Sequence, residues 1–511
     1  NSTNSANATS GTNDFTGGTL DALIGTMQLG VSCPAGIGGT GNGTGTLTFN
    51  SGTLDVNILQ LGVDTGNSGT STGIGLMNVN GGLLNVNSNL QLGVFIAGSG
   101  GTPQGTLNVN GGTVQATNIV GGGSATINLK SGTLDLQNGQ ITNVTMLDIG
   151  DGQSSAAQLL NAASISSPNP ITIAANGMLA GNTLVTTPNL LVNGAISPGN
   201  AAVGAVTNNG SVTFGAGGDY PFDMEDAIGQ GGTNWDLLAA TGVLNIQAAS
   251  TNPFVVQLRS IDNDLNDGNP GAADFGNDSA QSWVIATASS ITNFAANKFS
   301  VDDSLFQNDL AGGYFIVQTN GGSLLLAFVP NNPPSANDVS FYLPRNGVLQ
   351  ISISSLAAQW SDPDGDPVQL LGINGSSANG VSVTSDGNFI YYTSTTNSAD
   401  TIFYTIVDLR TNPPAIYRAG DTQRTATGVI HILPPPAIAN IVSSGGANLI
   451  FSGANGVPGG TYYVLVSTNL ALPVSQWPVM STNAFDVNGN FIFTNPVDAN
   501  MYQQFYMLRF P

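Results

Sequence analysis

The feature that most restricts this chain is an internal repeat near its start. Four segments share one pattern: Thr46-Leu-Thr-Phe-Asn-Ser-Gly-Thr-Leu-Asp-Val, Met77-Asn-Val-Asn-Gly-Gly-Leu-Leu-Asn-Val, Leu107-Asn-Val-Asn-Gly-Gly-Thr-Val-Gln-Ala and Ile127-Asn-Leu-Lys-Ser-Gly-Thr-Leu-Asp-Leu. A fifth, weaker copy runs Phe15-Thr-Gly-Gly-Thr-Leu. In each copy the last apolar residue before the glycine corner sits five positions before the next inward one: Phe15/Leu20, Phe49/Leu54, Val79/Leu84, Val109/Val114 and Leu129/Leu134. Such self-similarity marks a stacked architecture, because one copy alone cannot bury its apolar face.

Apolar residues at alternate positions make a strand with one buried face, and the interrupting Gly supplies a corner at positive φ. A third short strand follows as Met27-Gln-Leu-Gly, Leu59-Gln-Leu-Gly and Leu90-Gln-Leu-Gly, and Gly/Ser/Thr loops such as 64–75 lead to the next copy. Three strands and two corners per copy predict one rung of a parallel β-helix, with rungs stacked roughly 4.8 Å apart. The recurrent Asn50, Asn80 and Asn110 have two readings: a hydrogen-bonded amide ladder, or residues that simply tolerate a turn. A helical alternative fails on propensity, since Gly, Asn, Thr and Ser are poor helix formers.

A chain of 511 residues exceeds one core and implies several domains. Charged residues make up 7%, against about a quarter in ordinary globular proteins. The surface is therefore hydrated mainly by amides and hydroxyls, as in secreted β-rich proteins. Thirty acids against eight bases give a net charge of −22, which excludes an electrostatic footprint for nucleic acid or anionic lipid and favours cations as ionic partners. Cys33 is the single cysteine, so no internal disulfide staples the fold; a small half-buried hydrophobe is the expected role. No apolar run is long enough for a membrane-spanning helix. The polar opening Asn-Ser-Thr-Asn-Ser-Ala-Asn reads as a processed, exported chain.

Beyond residue 165 the repeat fades while strand character persists. The run Gly194-Ala-Ile-Ser-Pro-Gly-Asn, Gly210-Ser-Val-Thr-Phe, Tyr220-Pro-Phe-Asp, Trp235-Asp-Leu-Leu and Gly242-Val-Leu-Asn-Ile resembles the end of bacterial autotransporter-associated β-strand repeat proteins. Pro253-Phe-Val-Val-Gln-Leu, Ser282-Trp-Val-Ile-Ala-Thr and Gly312-Gly-Tyr-Phe-Ile-Val continue the match. The resemblance covers most of residues 1–329 and implies a right-handed β-solenoid passenger on a cell exterior. No outer-membrane barrel is expected after this match, a departure from the family pattern that points to release or to another anchor.

Pro330-Asn-Asn-Pro-Pro-Ser-Ala-Asn-Asp and Leu433-Pro-Pro-Pro read as linkers. Between them, Val348-Leu-Gln-Ile-Ser-Ile, Phe389-Ile-Tyr-Tyr-Thr and Thr401-Ile-Phe-Tyr-Thr-Ile-Val alternate as sandwich strands do. The Pro-Pro-x-Ala-x-Asp opening and Trp360-Ser-Asp-Pro-Asp-Gly-Asp-Pro resemble bacterial cadherin-like or Ig-like surface domains. The last stretch, with Gly459-Gly-Thr-Tyr-Tyr-Val-Leu-Val-Ser-Thr-Asn-Leu, Trp477, Phe485-Asp-Val-Asn-Gly-Asn-Phe and Gln504-Phe-Tyr-Met-Leu-Arg-Phe, resembles a C-terminal β-sandwich of verrucomicrobial-type secreted proteins. The expected fold is therefore all-β: a right-handed parallel β-solenoid followed by two Ig-like β-sandwich domains. The expected boundaries are 1–164 for the repeats, 165–329 for their continuation and cap, 330–434 for the first sandwich and 435–511 for the second.

Two acidic clusters are candidate Ca²⁺ sites, since hard oxygen ligands at alternate positions suit that ion. The stronger is Asp362, Asp364 and Asp366 around Gly365; the weaker is Asp262, Asp264 and Asp267 before Gly268. Neither has the closing Glu of an EF-hand, and solvated turns are the plain alternative. No catalytic site is expected. Residues 1–329 hold only Lys130, Arg259 and Lys298 as bases and no His, which disfavours a polysaccharide hydrolase or lyase. In the pair Asp302-Asp303, neighbouring strand residues point to opposite faces. His431 reads as a strand-edge residue, and glycine runs such as 121–123 lack the Lys of a phosphate loop.

The expectation is a secreted, non-enzymatic cell-surface protein. One reading is a subunit that self-associates into a filament, sheath or layer through β-edges; the other is a monomeric adhesin whose sandwiches bind a glycan or a cell surface.

Overall fold

The computed structural model describes residues 8–32, 41–65, 71–96, 101–261, 271, 273–344, 348–396, 398–410, 423–498 and 500–510. The chain divides into two compact units, Asn1–Pro330 and Asn331–Pro511. Strands account for nearly all regular structure; among the described residues the α-helix is confined to Ile353–Ala357.

In the first unit the repeat copies lie side by side as parallel strands. β1 (Thr9–Asp14) pairs with β3 (Gly43–Phe49), and β3 pairs with β5 (Gly73–Val79). On the next face β2 (Leu20–Val31) pairs with β4 (Gly52–Asp64), and β4 with β6 (Leu83–Phe95). β7 (Gln104–Ala116), β8 (Asn118–Gly121) and β9 (Ser124–Thr142) extend both ladders. The register places like residues together: Leu47 beside Met77, Met77 beside Leu107, Leu107 beside Ile127. Met27, Leu59, Leu90 and Ile119 form a second such file. The files make one continuous core in which Phe49, Leu59, Val79, Leu90, Val109 and Leu129 are completely buried.

The weak first copy departs from the expected spacing. Phe15 does lie against the second copy, its N–H donating to the Thr48 carbonyl at 2.9 Å. Leu20, however, stands beside Gly52, and Ala22 stands beside Leu54. The first corner is thus two residues longer, and Ala22 takes the inward position.

The closing Gly of each Leu-Gln-Leu-Gly segment has a steric reason. Gly62 has φ +69°, and a Cβ there would sit 2.0 Å from the Gln104 carbonyl oxygen. Only glycine allows that approach between neighbouring strands.

The parallel ladders continue past residue 146 with shorter strands, through Val243–Ile246 and Phe254–Ser260. The far end changes direction: Gln281–Thr287 pairs antiparallel with Ser323–Val329, which pairs antiparallel with Tyr314–Asn320. Beneath them Phe275, Trp283, Phe306, Phe315 and Phe328 pack ring on ring, covering the core.

The second unit contains a two-stranded ribbon, Ser335–Ala336 with Trp360–Ser361, and two pairs of larger sheets. Val339–Tyr342, Thr425–Leu433, Asp400–Asp408 and Val368–Ile373 form one sheet; Val348–Ser352, Phe389–Thr393 and Val383–Ser385 form the other. Ile351, Ile390, Tyr392, Ile402, Tyr404 and Ile430 fill the space between them. Two three-stranded sheets follow over Ala437–Arg509, around Phe451, Tyr462, Val464, Phe485 and Phe491.

Candidate metal centre

The loop joining Trp360–Ser361 to Val368–Ile373 carries the three alternate acids. Asp362 Oδ1 accepts hydrogen bonds from the Asp364 N–H at 2.8 Å and the Asp366 N–H at 3.1 Å. Gly365, at φ +80°, donates its N–H to the Asp362 carbonyl at 3.2 Å. This tight turn brings one carboxylate oxygen from each of Asp362, Asp364 and Asp366 within 4.8 Å of the others. Three like charges that close repel unless a cation or protons compensate them.

Tertiary structure adds residues that the sequence reading did not single out. Val368, two residues past Asp366, is the antiparallel partner of Asp408, and Leu409 N–H donates to the Pro367 carbonyl at 2.8 Å. Asp408 is completely buried. Its Oδ2 accepts a 2.7 Å hydrogen bond from Asn331 Nδ2, and Asn331 is itself buried. Burial raises the Asp408 pKa, the Asn331 bond opposes the rise, and the charges of Asp362 and Asp366 add to it. Asp364 accepts the Asn332 N–H at 2.7 Å and its side-chain amide at 2.8 Å. Three buried oxygens in this group have no hydrogen-bond donor: Asp362 Oδ2, Asp408 Oδ1 and Asn331 Oδ1. In sequence, Asn331-Asn332 read only as linker, and the strand reading stops at Val407, one residue short of Asp408. A lone Asp closing Tyr-Thr-Ile-Val-Asp was the one available signal.

Asp262, Asp264 and Asp267 lie outside the described residues, as does Cys33. Arg259 lies against Asp223, with Nε to Oδ1 at 2.6 Å and Nη2 to Oδ2 at 2.8 Å. Close by, the buried Asp236 accepts the Gly204 and Asp223 N–H groups at 2.8 and 3.1 Å. Burial raises both carboxyls; the charge of Asp223 adds to the rise at Asp236, while Arg259 lowers both. Asp302 is exposed and caps its own turn, its Oδ1 accepting the Ser304 N–H at 3.0 Å. His431, which had no visible partner in the sequence, lies 3.5 Å from Asp338 through Nε2, with both side chains exposed.

Residues 331–432 match the family of bacterial Ig domains. The match spans the sheet pair that carries the acidic loop, and such a domain suggests a surface or adhesion-type extracellular protein. Comparisons with curated proteins and with solved structures gave no match.

Proposed function

We propose that this chain is an extracellular structural protein of a bacterial surface. Its first unit serves as a right-handed β-solenoid that joins other copies through strand edges, and its Ig-like part holds Ca²⁺ at Asp362, Asp364 and Asp366. The observation that carries the assembly reading is the difference between the two ends of the ladder. Among the described residues, β1 and β2 are paired on one side only. The inward Ala22, Ile24 and Met27 are only partly buried, whereas their neighbours Leu54, Val56 and Leu59 are wholly buried. The opposite end lies under antiparallel strands. A strand edge beside partly exposed apolar side chains is a template for another strand, from a second copy or from a stretch preceding residue 1.

The bacterial Ig match also supports a second reading, a monomeric adhesin. On that reading exposed side chains of the last sandwich, such as Val487, Ile492 and Tyr502, contact a glycan or a cell surface. Electron microscopy and light scattering over a concentration series, with Ca²⁺ and with chelator, separate the two. Ordered polymers support the structural role. Single rods at every concentration overturn it in favour of the adhesin.

A further inference from the structure

We propose that Asn331 and Asp408 are metal ligands, completing with Asp362, Asp364 and Asp366 a five-residue oxygen site for Ca²⁺. This inference rests on the calcium reading of the three-Asp loop and extends it into the buried interior of the Ig-like sheets. The unpartnered oxygens carry the argument. A buried side-chain oxygen that faces neither water nor a donor costs its full desolvation, and here the carboxylate oxygens Asp408 Oδ1 and Asp362 Oδ2 and the amide oxygen Asn331 Oδ1 are all in that state. Strand pairing sets Asp408 beside the end of the acidic loop, Asn331 is hydrogen-bonded to Asp408, and the charges of Asp362 and Asp366 reach it. Asn331 orients Asp408 through its amide while its own oxygen stays free to coordinate, and Asn332 holds Asp364 by two bonds.

The chemistry of the donor set selects the ion. Four carboxylates and one amide oxygen form a hard, all-oxygen set without the imidazole or thiolate that would favour zinc, copper or nickel. Ca²⁺ takes six to eight oxygens at flexible geometry, whereas Mg²⁺ demands a small regular octahedron and gives up its waters reluctantly. A loop, a strand end and a lead-in segment converging from different directions suit the larger ion. Bound there, Ca²⁺ neutralises the mutual repulsion of the acids. It also fastens the Asn331–Asn332 segment to the strand that ends at Asp408.

The test is calorimetric titration of CaCl₂ into the chelator-stripped full chain and into the variants Asp408→Asn and Asn331→Ala. Melting curves are recorded with and without Ca²⁺, and circular dichroism in chelator confirms that each variant is folded. The wild type should bind Ca²⁺ in preference to Mg²⁺, and its Ig-like transition should rise in temperature. Each variant should lose at least tenfold in affinity at one site and most of that thermal shift; Asp408→Asn should melt no lower than the wild type in chelator. Wild-type-like Ca²⁺ binding by both folded variants overturns the inference and leaves the three-Asp reading standing. Failure of the wild type to bind Ca²⁺ overturns both.

Discussion

Asn108 donates its side-chain amide to Asn78 at 2.8 Å and accepts the amide of Asn128 at the same distance. The three belong to successive copies, and Asn78 in turn donates to Thr48 at 2.9 Å. A parallel file of glutamines does the same, Gln28 to Gln60 and Gln60 to Gln91, each at 2.6 Å. The Asn50, Asn80 and Asn110 positions contribute one such link, Asn110 to Asn80 at 2.8 Å, while Asn50 donates to the Thr16 carbonyl instead. Stacked amides thus join the copies from outside while the apolar files join them from within.

Asn108→Ala should weaken the first unit by about 1–2 kcal/mol, since it removes a link and leaves two half-buried amides short of partners. Chemical denaturation of the first unit should show a lower midpoint at unchanged slope. An unchanged midpoint would mean that water substitutes fully for the ladder.

Gly62→Ala and Gly152→Ala separate backbone strain from close approach. Both glycines have positive φ, +69° and +77°, but only Gly62 faces a neighbouring backbone oxygen; Gly152 faces open space. Gly152→Ala should cost about 1 kcal/mol, the left-handed penalty alone. Gly62→Ala should cost about 3 kcal/mol or more, because the Gln104 backbone packed against it must move to admit the methyl group. Equal melting temperatures for the two variants would refute the close approach.

Met27 and Leu59 are register partners in adjacent copies, yet Leu59 is buried and Met27 only partly so. Leu59→Ala should cost about 2–5 kcal/mol and Met27→Ala clearly less in the isolated chain. Met27→Asp should leave the melting temperature near that of wild type while abolishing any polymer seen by microscopy. Polymers that persist in Met27→Asp would place the contact away from this end.

The buried Asp223 and Asp236 make the first unit pH-sensitive. Their folded pKa values are raised, chiefly by burial, so the native state retains protons that the unfolded chain releases above about pH 4. Their contribution to stability is complete below that pH and falls as pH rises through the folded values. Melting curves of wild type and Asp236→Asn from pH 4 to 8 should show the difference between them shifting against the wild type with rising pH. A constant difference would show that Asp236 titrates like a solvated acid.

The stacked-strand character of residues 46–136 was legible because alternation and glycine corners are local properties. An inward Leu or Val every second residue chooses a strand face, and a Gly chooses the corner, whatever lies elsewhere in the chain. The same logic broke down at the first copy, where an identical five-residue spacing from Phe15 pointed to Leu20. There the neighbouring strand, not the local pattern, set the register, and Ala22 became the inward residue. The antiparallel closure over the aromatic cluster was likewise invisible, since strand direction leaves no periodic mark.

The amino-acid sequence by itself determined the all-β character, the repeated inward files and the tight acidic turn at residues 362–366, since each depends on residues a few positions apart. Only the tertiary structure decided that Asp408 is buried beside that turn and that Asn331, 77 residues away, donates to it. Strand register brings those groups together, and register is the joint result of burying whole faces against one another, so no short stretch of sequence contains it.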